Sequence, residues 1–251
     1  FVSLLFATAM TLNPLVAVAQ PANQGGPLID YGTRFIPEIA AKGMVSGPEK
    51  LASEAGLSML KRGGNAVDAA VATGFALAVT LPRAGNLAGG GFMLVHLAKT
   101  DEQVFIDYRE MAPASASRDM FLNEDGTVNK QMAYNSPSAA GIPGTVAGMI
   151  HALENYGTLD LKTVIQPAIE LAEQGFRVPA ALHLNLRAAT KRLARNEEAN
   201  RIYLAGTGTA PAMGSLFKQP DLAATLKRIS DNGTDGFYKG KTAALIVEEM
   251  Q

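Results

Sequence analysis

The sequence predicts an α+β fold, on three observations. Two β-prone runs, residues 92–98 and 104–108, lie in the first half of the chain, helical patterns dominate after residue 140, and strands and helices nowhere alternate as βαβ units would. The elements follow in chain order. Residues 20–42, rich in Pro, Gly and Asn, read as an extended arm. Residues 48–62 carry Leu51, Ala55 and Met59 at helical spacing, with Ser46 and Gly47 ahead and Gly63-Gly64 behind, which predicts a helix with a C-terminal stop. Asn65 can cap a second helix over residues 66–79. Its apolar residues, Val67, Ala70, Val71, Phe75 and Leu77, run almost all round it, so burial between layers is expected. The two β-prone runs are joined by the polar Lys99-Thr100-Asp101-Glu102, the form of an antiparallel hairpin. Beyond residue 140 the pattern predicts helices over 146–156, 162–174, 179–195 and 222–230, and from 241 onward. No internal repeat, low-complexity tract or linker interrupts them, so one domain is expected.

Composition narrows the function classes. The 251 residues hold 22 Lys+Arg against 23 Asp+Glu, a formal net charge of -1 that provides no global basic field for nucleic acid or anionic lipid. The chain has no Cys, which excludes disulfides, zinc-thiolate sites, iron–sulfur clusters and thiol nucleophiles from this segment. The opening FVSLLFATAMTLNPLVAVAQ is uncharged, apolar through Leu12, and ends in the small-x-small Ala17-Val18-Ala19. Asn13 and Pro14 make the run too short and too broken to span a bilayer, so residues 1–19 read as a signal peptide cut after Ala19. A buried N-terminal helix is the alternative. A signal peptide places the mature chain, residues 20–251, in the periplasm or outside the cell. Phe1 in place of Met, the missing basic n-region, and a last helix without a C-cap Gly make both ends read as truncated.

Several familiar signatures fail on spacing. Gly236 to Gly240 has three residues between its glycines where a phosphate-binding P-loop needs four, and no strand precedes it. Gly85 to Gly91 lacks the G-x-G-x-x-G pattern of a dinucleotide site. Asn232-Gly233-Thr234 matches a glycosylation sequon but reads as a turn. His96, His151 and His183 stand far apart and in no metal-binding pair, so structural roles are expected for them and neither metal nor cofactor is expected. No G-x-S-x-G elbow is present.

Four segments in order carry more. They are Gly63-Gly64-Asn65-Ala66-Val67-Asp68-Ala69-Ala70, Gly85-Asn86-Leu87-Ala88-Gly89-Gly90-Gly91-Phe92, Asp107-Tyr108-Arg109-Glu110-Met111-Ala112-Pro113 and Gly141-Ile142-Pro143-Gly144-Thr145-Val146-Ala147-Gly148. Each alone has a structural reading: a capped buried helix, a tight loop into a strand, a strand end with a charge pair, and a loop entering a helix. Together, and with Tyr238-Lys239-Gly240 near the end, they resemble the γ-glutamyltranspeptidase (glutathione hydrolase) family of N-terminal-nucleophile hydrolases, from about Met44 onward.

The resemblance implies a layered αββα fold, present here incompletely as part of a large subunit. It implies a precursor that cuts itself and exposes a Thr at the start of a small subunit. That Thr would attack γ-glutamyl amides such as glutathione and pass the acyl group to water, an amino acid or a peptide. The family's Thr-Thr-His segment is not found here, and Thr207 and Thr209 do not match it, so no catalytic residue is expected in this chain and the chain alone is expected to be inactive. One site residue is carried over, Arg109 of the D-x-R-E-x-A-P segment, which by resemblance pairs with the substrate α-carboxylate. Arg suits this because its planar fork donates two parallel hydrogen bonds and keeps its charge. The alternative is that Arg109 pairs with Asp107 or Glu110 at a strand end. Glu110 reads either as a partner that orients Arg109 or as half of an exposed salt bridge, and Asp68 reads as structural, near a helix N-terminus. Ala88 stands where the family often has a further Gly, a fit that depends on whether the position needs positive φ. Two other functions stay open: a β-lactam side-chain (glutaryl) acylase of the same superfamily, and an inactive truncated homologue acting as a binding module.

Overall fold

A computed structural model of the chain describes residues 38–250. The expected signal peptide and most of the expected arm lie outside these residues. The fold is α+β, mostly helices with a short hairpin, and Lys42–Gln251 form one compact unit. No helix among the described residues is long and apolar enough to cross a membrane.

The first two helices are α1 (Lys50–Lys61) and α2 (Ala66–Thr80). Glu49 caps α1: its backbone is extended and its carboxylate accepts the Ala52 N–H at 3.0 Å. Gly63 then takes φ +88, the left-handed turn that ends a helix and that glycine adopts without strain. Helix α2 is buried nearly all round, with Val71, Ala72, Phe75, Ala76 and Val79 fully enclosed. Helices α1, α4 (Thr145–Tyr156) and α5 (Leu161–Gln174) pack around it.

Strands β1 (Phe92–Leu97) and β2 (Glu102–Asp107) pair antiparallel, Phe92 opposite Asp107 and Leu97 opposite Glu102. Glu102, expected in the turn, begins β2 because Asp101 adopts φ 54 and reverses the chain within four residues. Alternation divides the hairpin. Val95 and Ile106 point into the core, while Phe92, Leu94 and Phe105 stay exposed, the two rings stacked at 5.7 Å.

After the hairpin come α3 (Lys130–Asn135) and a 3-10 turn, Pro137–Ala139. Past α5, β3 (Phe176–Arg177) precedes α6 (Ala180–Leu193) and α7 (Glu197–Tyr203). The chain continues through β4 (Leu216–Phe217), α8 (Pro220–Asn232), α9 (Asp235–Tyr238) and α10 (Gly240–Met250). The 3-10 turn, α3, α7, α9 and the two-residue β3–β4 pair do not stand out in the sequence. Pro220 fits the first turn of α8, where its missing N–H costs nothing, so that helix starts two residues earlier than expected. The sequon at Asn232 is the turn the sequence suggests, with Gly233 at φ 60 ending α8.

Both ends of α2 are tied to distant segments. At its start Asn65 caps Val67 and Asp68, and Asp68 returns a bond to the Asn65 N–H at 2.6 Å, a capping box. The fully buried Asp68 carboxylate also accepts from Thr158 N–H at 2.9 Å, Thr158 hydroxyl at 2.7 Å and Leu159 N–H at 3.0 Å. At the other end buried Gln219 donates its amide to the Val79 carbonyl at 2.8 Å.

Asp68→Asn replaces one acceptor oxygen by an amide NH2 and takes the acceptor from two of the part-buried donors that converge on it. The expected loss is about 3 kcal/mol at neutral pH, read as a lower urea midpoint at unchanged slope. Burial alone would raise the Asp68 carboxyl, but the bonds from Thr158, Leu159 and Asn65 outweigh it and hold the group below its ordinary 3.8. Its contribution is therefore present above the unfolded-chain pKa and is lost as pH falls through the lower folded value. The stability gap between wild type and Asp68→Asn should narrow below about pH 4. A gap that stayed constant down to about pH 2 would mean that the carboxylate charge does not hold the junction.

Candidate functional site

Three of the four sequence segments meet at one place, and backbone contacts bring them there. The end of β2 pairs with the glycine segment, Gly91 N–H to the Tyr108 carbonyl at 3.3 Å and Tyr108 N–H to the Gly91 carbonyl at 3.1 Å. Just beyond, Met111 and Ile142 exchange hydrogen bonds of 3.3 and 2.8 Å, which fastens the Arg109 segment to the loop that enters α4. That loop closes the triangle: the Gly144 and Thr145 N–H groups both donate to the Gly89 carbonyl, at 2.7 and 3.0 Å.

The approach is so close that side chains are excluded. A methyl at Gly144 would strike the Tyr108 carbonyl, and one at Gly148 would strike the Tyr108 ring. Gly89, Gly90 and Gly91 have no positive φ, so close approach, not backbone freedom, accounts for the glycine run. Ala88 likewise has no positive φ, and its methyl is compatible with the loop.

Arg109 follows β2 and is exposed. Its backbone N–H donates to Asp107 Oδ1 at 3.0 Å. Its guanidinium forms no ion pair among the described residues, with either Asp107 or Glu110, so the strand-end pairing is not observed and Glu110 does not hold Arg109. The residue lines an open cleft of about 650 Å³ beside the outer edge of β2, together with Tyr108, Pro143, His151 and Tyr238. An exposed guanidinium over such a cleft can bind a carboxylate through two parallel hydrogen bonds.

Tyr238, from the Tyr-Lys-Gly segment, locks the cleft from the C-terminal side. Its hydroxyl donates to the Pro143 carbonyl at 2.9 Å and accepts from the Ala147 N–H at 3.2 Å. Burial raises the Tyr238 phenol against the lowering effect of the Ala147 bond, and burial also raises that of Tyr108, so both rings stay neutral at physiological pH.

The remaining singled-out residues fall elsewhere. The Asn65–Asp68 segment serves the fold through the α2 junction. Thr207 and Thr209 hydrogen-bond each other at 2.8 Å within their own loop. His183 Nδ1 lies 2.8 Å from the Pro211 carbonyl, and His96 lies on the outer hairpin face. His151 is the exception: it lines the cleft, and Asn155 Nδ2 lies 3.2 Å from its Nδ1. Nothing in its own sequence neighbourhood signals that position.

Comparison with known proteins agrees with this arrangement. Residues 52–251 match the profile of the family described as Gamma-glutamyltranspeptidase. The glutathione hydrolase proenzyme of Escherichia coli K12 is 45% identical over 238 residues, covering 94% of this chain and 40% of the relative. The crystal structure of Helicobacter pylori gamma-glutamyltranspeptidase superposes with a TM-score of 0.83 at 42% identity, over 86% of this chain and 61% of that one. A cephalosporin acylase from Bacillus halodurans superposes with a TM-score of 0.68 at 26% identity, over 88% of this chain and 42% of its own. The chain thus spans less than half the length of the Escherichia coli relative. With the profile matched over most of its residues and three of the four segments joined at one cleft, the chain belongs to the gamma-glutamyltranspeptidase family.

Proposed function

We propose that this chain is part of the large subunit of a periplasmic or secreted enzyme that hydrolyses and transfers γ-glutamyl groups, glutathione being the donor class. Arg109 holds the donor's α-carboxylate. The observation that carries the reading is Arg109 itself: exposed, its guanidinium without an ion pair among the described residues, and carried beside a cleft on a backbone that the family's own segments hold. A group with no carboxylate of its own is free to take one from a ligand.

The reacting groups on this reading belong to a small subunit cut from the same precursor, beyond Gln251. The new N-terminal Thr hydroxyl gives its proton to its own α-amino group, which titrates near neutral pH. The oxygen bonds to the γ-carbonyl carbon, the amide C–N bond breaks, and the departing nitrogen takes the proton. The resulting γ-glutamyl ester passes its acyl group to water or to the amine of an amino acid or peptide. The 251-residue chain alone is then inactive. A Thr-Thr-His segment downstream in the reading frame supports the proposal, and a stop codon directly after Gln251 defeats it.

The acylase reading has a specific observation behind it, the likeness to the Bacillus halodurans acylase, but it is the weaker likeness by both identity and TM-score. A glutaryl amide lacks the α-amino group of a γ-glutamyl donor. Full-length enzyme should therefore cleave a γ-glutamyl anilide faster than the matched glutaryl anilide, and the reverse order would favour the acylase.

Two variants separate binding from support. Arg109→Lys keeps the charge but loses the fork, so KM for γ-glutamyl donors should rise at least about tenfold, ~1.4 kcal/mol, with self-cleavage and Tm unchanged. An unchanged KM removes Arg109 from the site. Gly148→Ala pushes against the Tyr108 ring and should raise KM while also lowering Tm by several degrees, on the order of a 1–3 kcal/mol overpacking cost. Differential scanning fluorimetry beside donor kinetics reads both.

A further inference from the structure

A second cleft, of about 510 Å³, shares no lining residue with the one at Arg109. It opens where the segment after α2 meets α6 and the end of α7. Pro82, Leu186, Leu193 and the Tyr203 ring make its apolar wall, and Leu186 belongs to the hydrophobic core. The Tyr203 ring is fixed from behind by stacking on Phe217 at 6.4 Å.

Arg83, Arg192, Asn185 and the Tyr203 hydroxyl are its polar groups, and no acidic residue lines it. Among the described residues none of these four side chains has a hydrogen-bond or ion-pair partner, whereas Arg201 nearby engages both Glu198 and Asp221. No fully buried side-chain N or O among the described residues lacks a partner, so the Asn185 amide and the Tyr203 hydroxyl are not fully buried. Arg192 sits in the last turn of α6, where the helix dipole favours a cation, and Arg83 stands three residues past the end of α2. That accounts for Arg192 singly, not for two cations lining one apolar cleft.

We propose that this cleft binds a small amphipathic carboxylate, with its apolar body on the Leu186–Leu193–Tyr203 wall and its carboxylate on Arg83 and Arg192. Asn185 and the neutral Tyr203 phenol supply further donors at the rim. The size falls within the roughly 300–1,000 Å³ of small-molecule sites, and the lining has their composition, apolar with a few converging polar groups. The site is independent of the γ-glutamyl reading and of the reacting groups.

The test is calorimetric titration of the full-length protein with 4-phenylbutyrate and its uncharged isostere 4-phenylbutyramide. The acid should bind saturably and the amide at least about tenfold more weakly. Arg83→Gln with Arg192→Gln should weaken the acid by a similar factor. Asn185→Asp, which leaves both arginines in place and adds a negative charge to the rim, should weaken it as well. Arg109→Lys should leave binding unchanged. The proposal is overturned by equal affinity for acid and amide, by full affinity in the double variant, by loss of binding in Arg109→Lys, or by no saturable binding of the acid.

Discussion

The fold depends on where the Asp68 carboxylate is held. Helix α2 is enclosed on nearly every side from Val67 onward, so the N–H groups of Val67 and Asp68 need partners in the protein. Asn65 supplies the partner for two of them, and Asp68 then uses its own two oxygens to bind Asn65, Thr158 and Leu159. Asn65 Nδ2 also reaches the Tyr156 carbonyl at 2.6 Å. One capping box thereby fixes the junction between α4 and α5, the helices that pack on α2. Buried carboxylates are costly unless satisfied, and this one is satisfied by four donors, so its cost becomes a condition on the geometry.

The cleft inherits that geometry. Helix α4 ends at the Asp68 junction and begins at the Gly144 loop, so fixing one end aims the other. The loop then meets β2 and the glycine segment through backbone hydrogen bonds, and Tyr238 holds it from the far side. Arg109 stands at the meeting point without joining the segments itself, its own N–H bonding only to Asp107 two residues before it. The residue with the most exposed chemistry is thus supported by residues with almost none.

Much of this is legible in the sequence because it is local. Asn65 before an apolar run, Gly63-Gly64 after one, and four polar residues between two β-prone runs fix α1, α2 and the hairpin within a residue or two. What escapes is short and held from a distance. Phe176 and Arg177 are strand only because Phe217 and Leu216 lie beside them, and α7 and α9 are too brief for an apolar period to show. The layered sandwich that the family resemblance implies is represented among the described residues by one hairpin and one two-residue pair. Arg109 can be singled out only through its segment, since nothing in its periodicity separates it from a solvated strand-end charge. Its lack of an ion pair, and the arrival of His151 in the same cleft, depend on non-local pairing that no window of sequence contains.

The three segments at the cleft touch main chain to main chain, with glycines where a side chain would intervene. Their spacing is therefore set by bond lengths and hydrogen bonds rather than by the volume of any residue. Point replacement around them can break the fit but has little room to adjust it. A gradual change in where the guanidinium stands, and so in the shape of anion it meets, would have to come from insertions or deletions that lengthen or shorten a loop. Divergence in selectivity at this site should accordingly be recorded in gaps of an alignment more than in its substitutions.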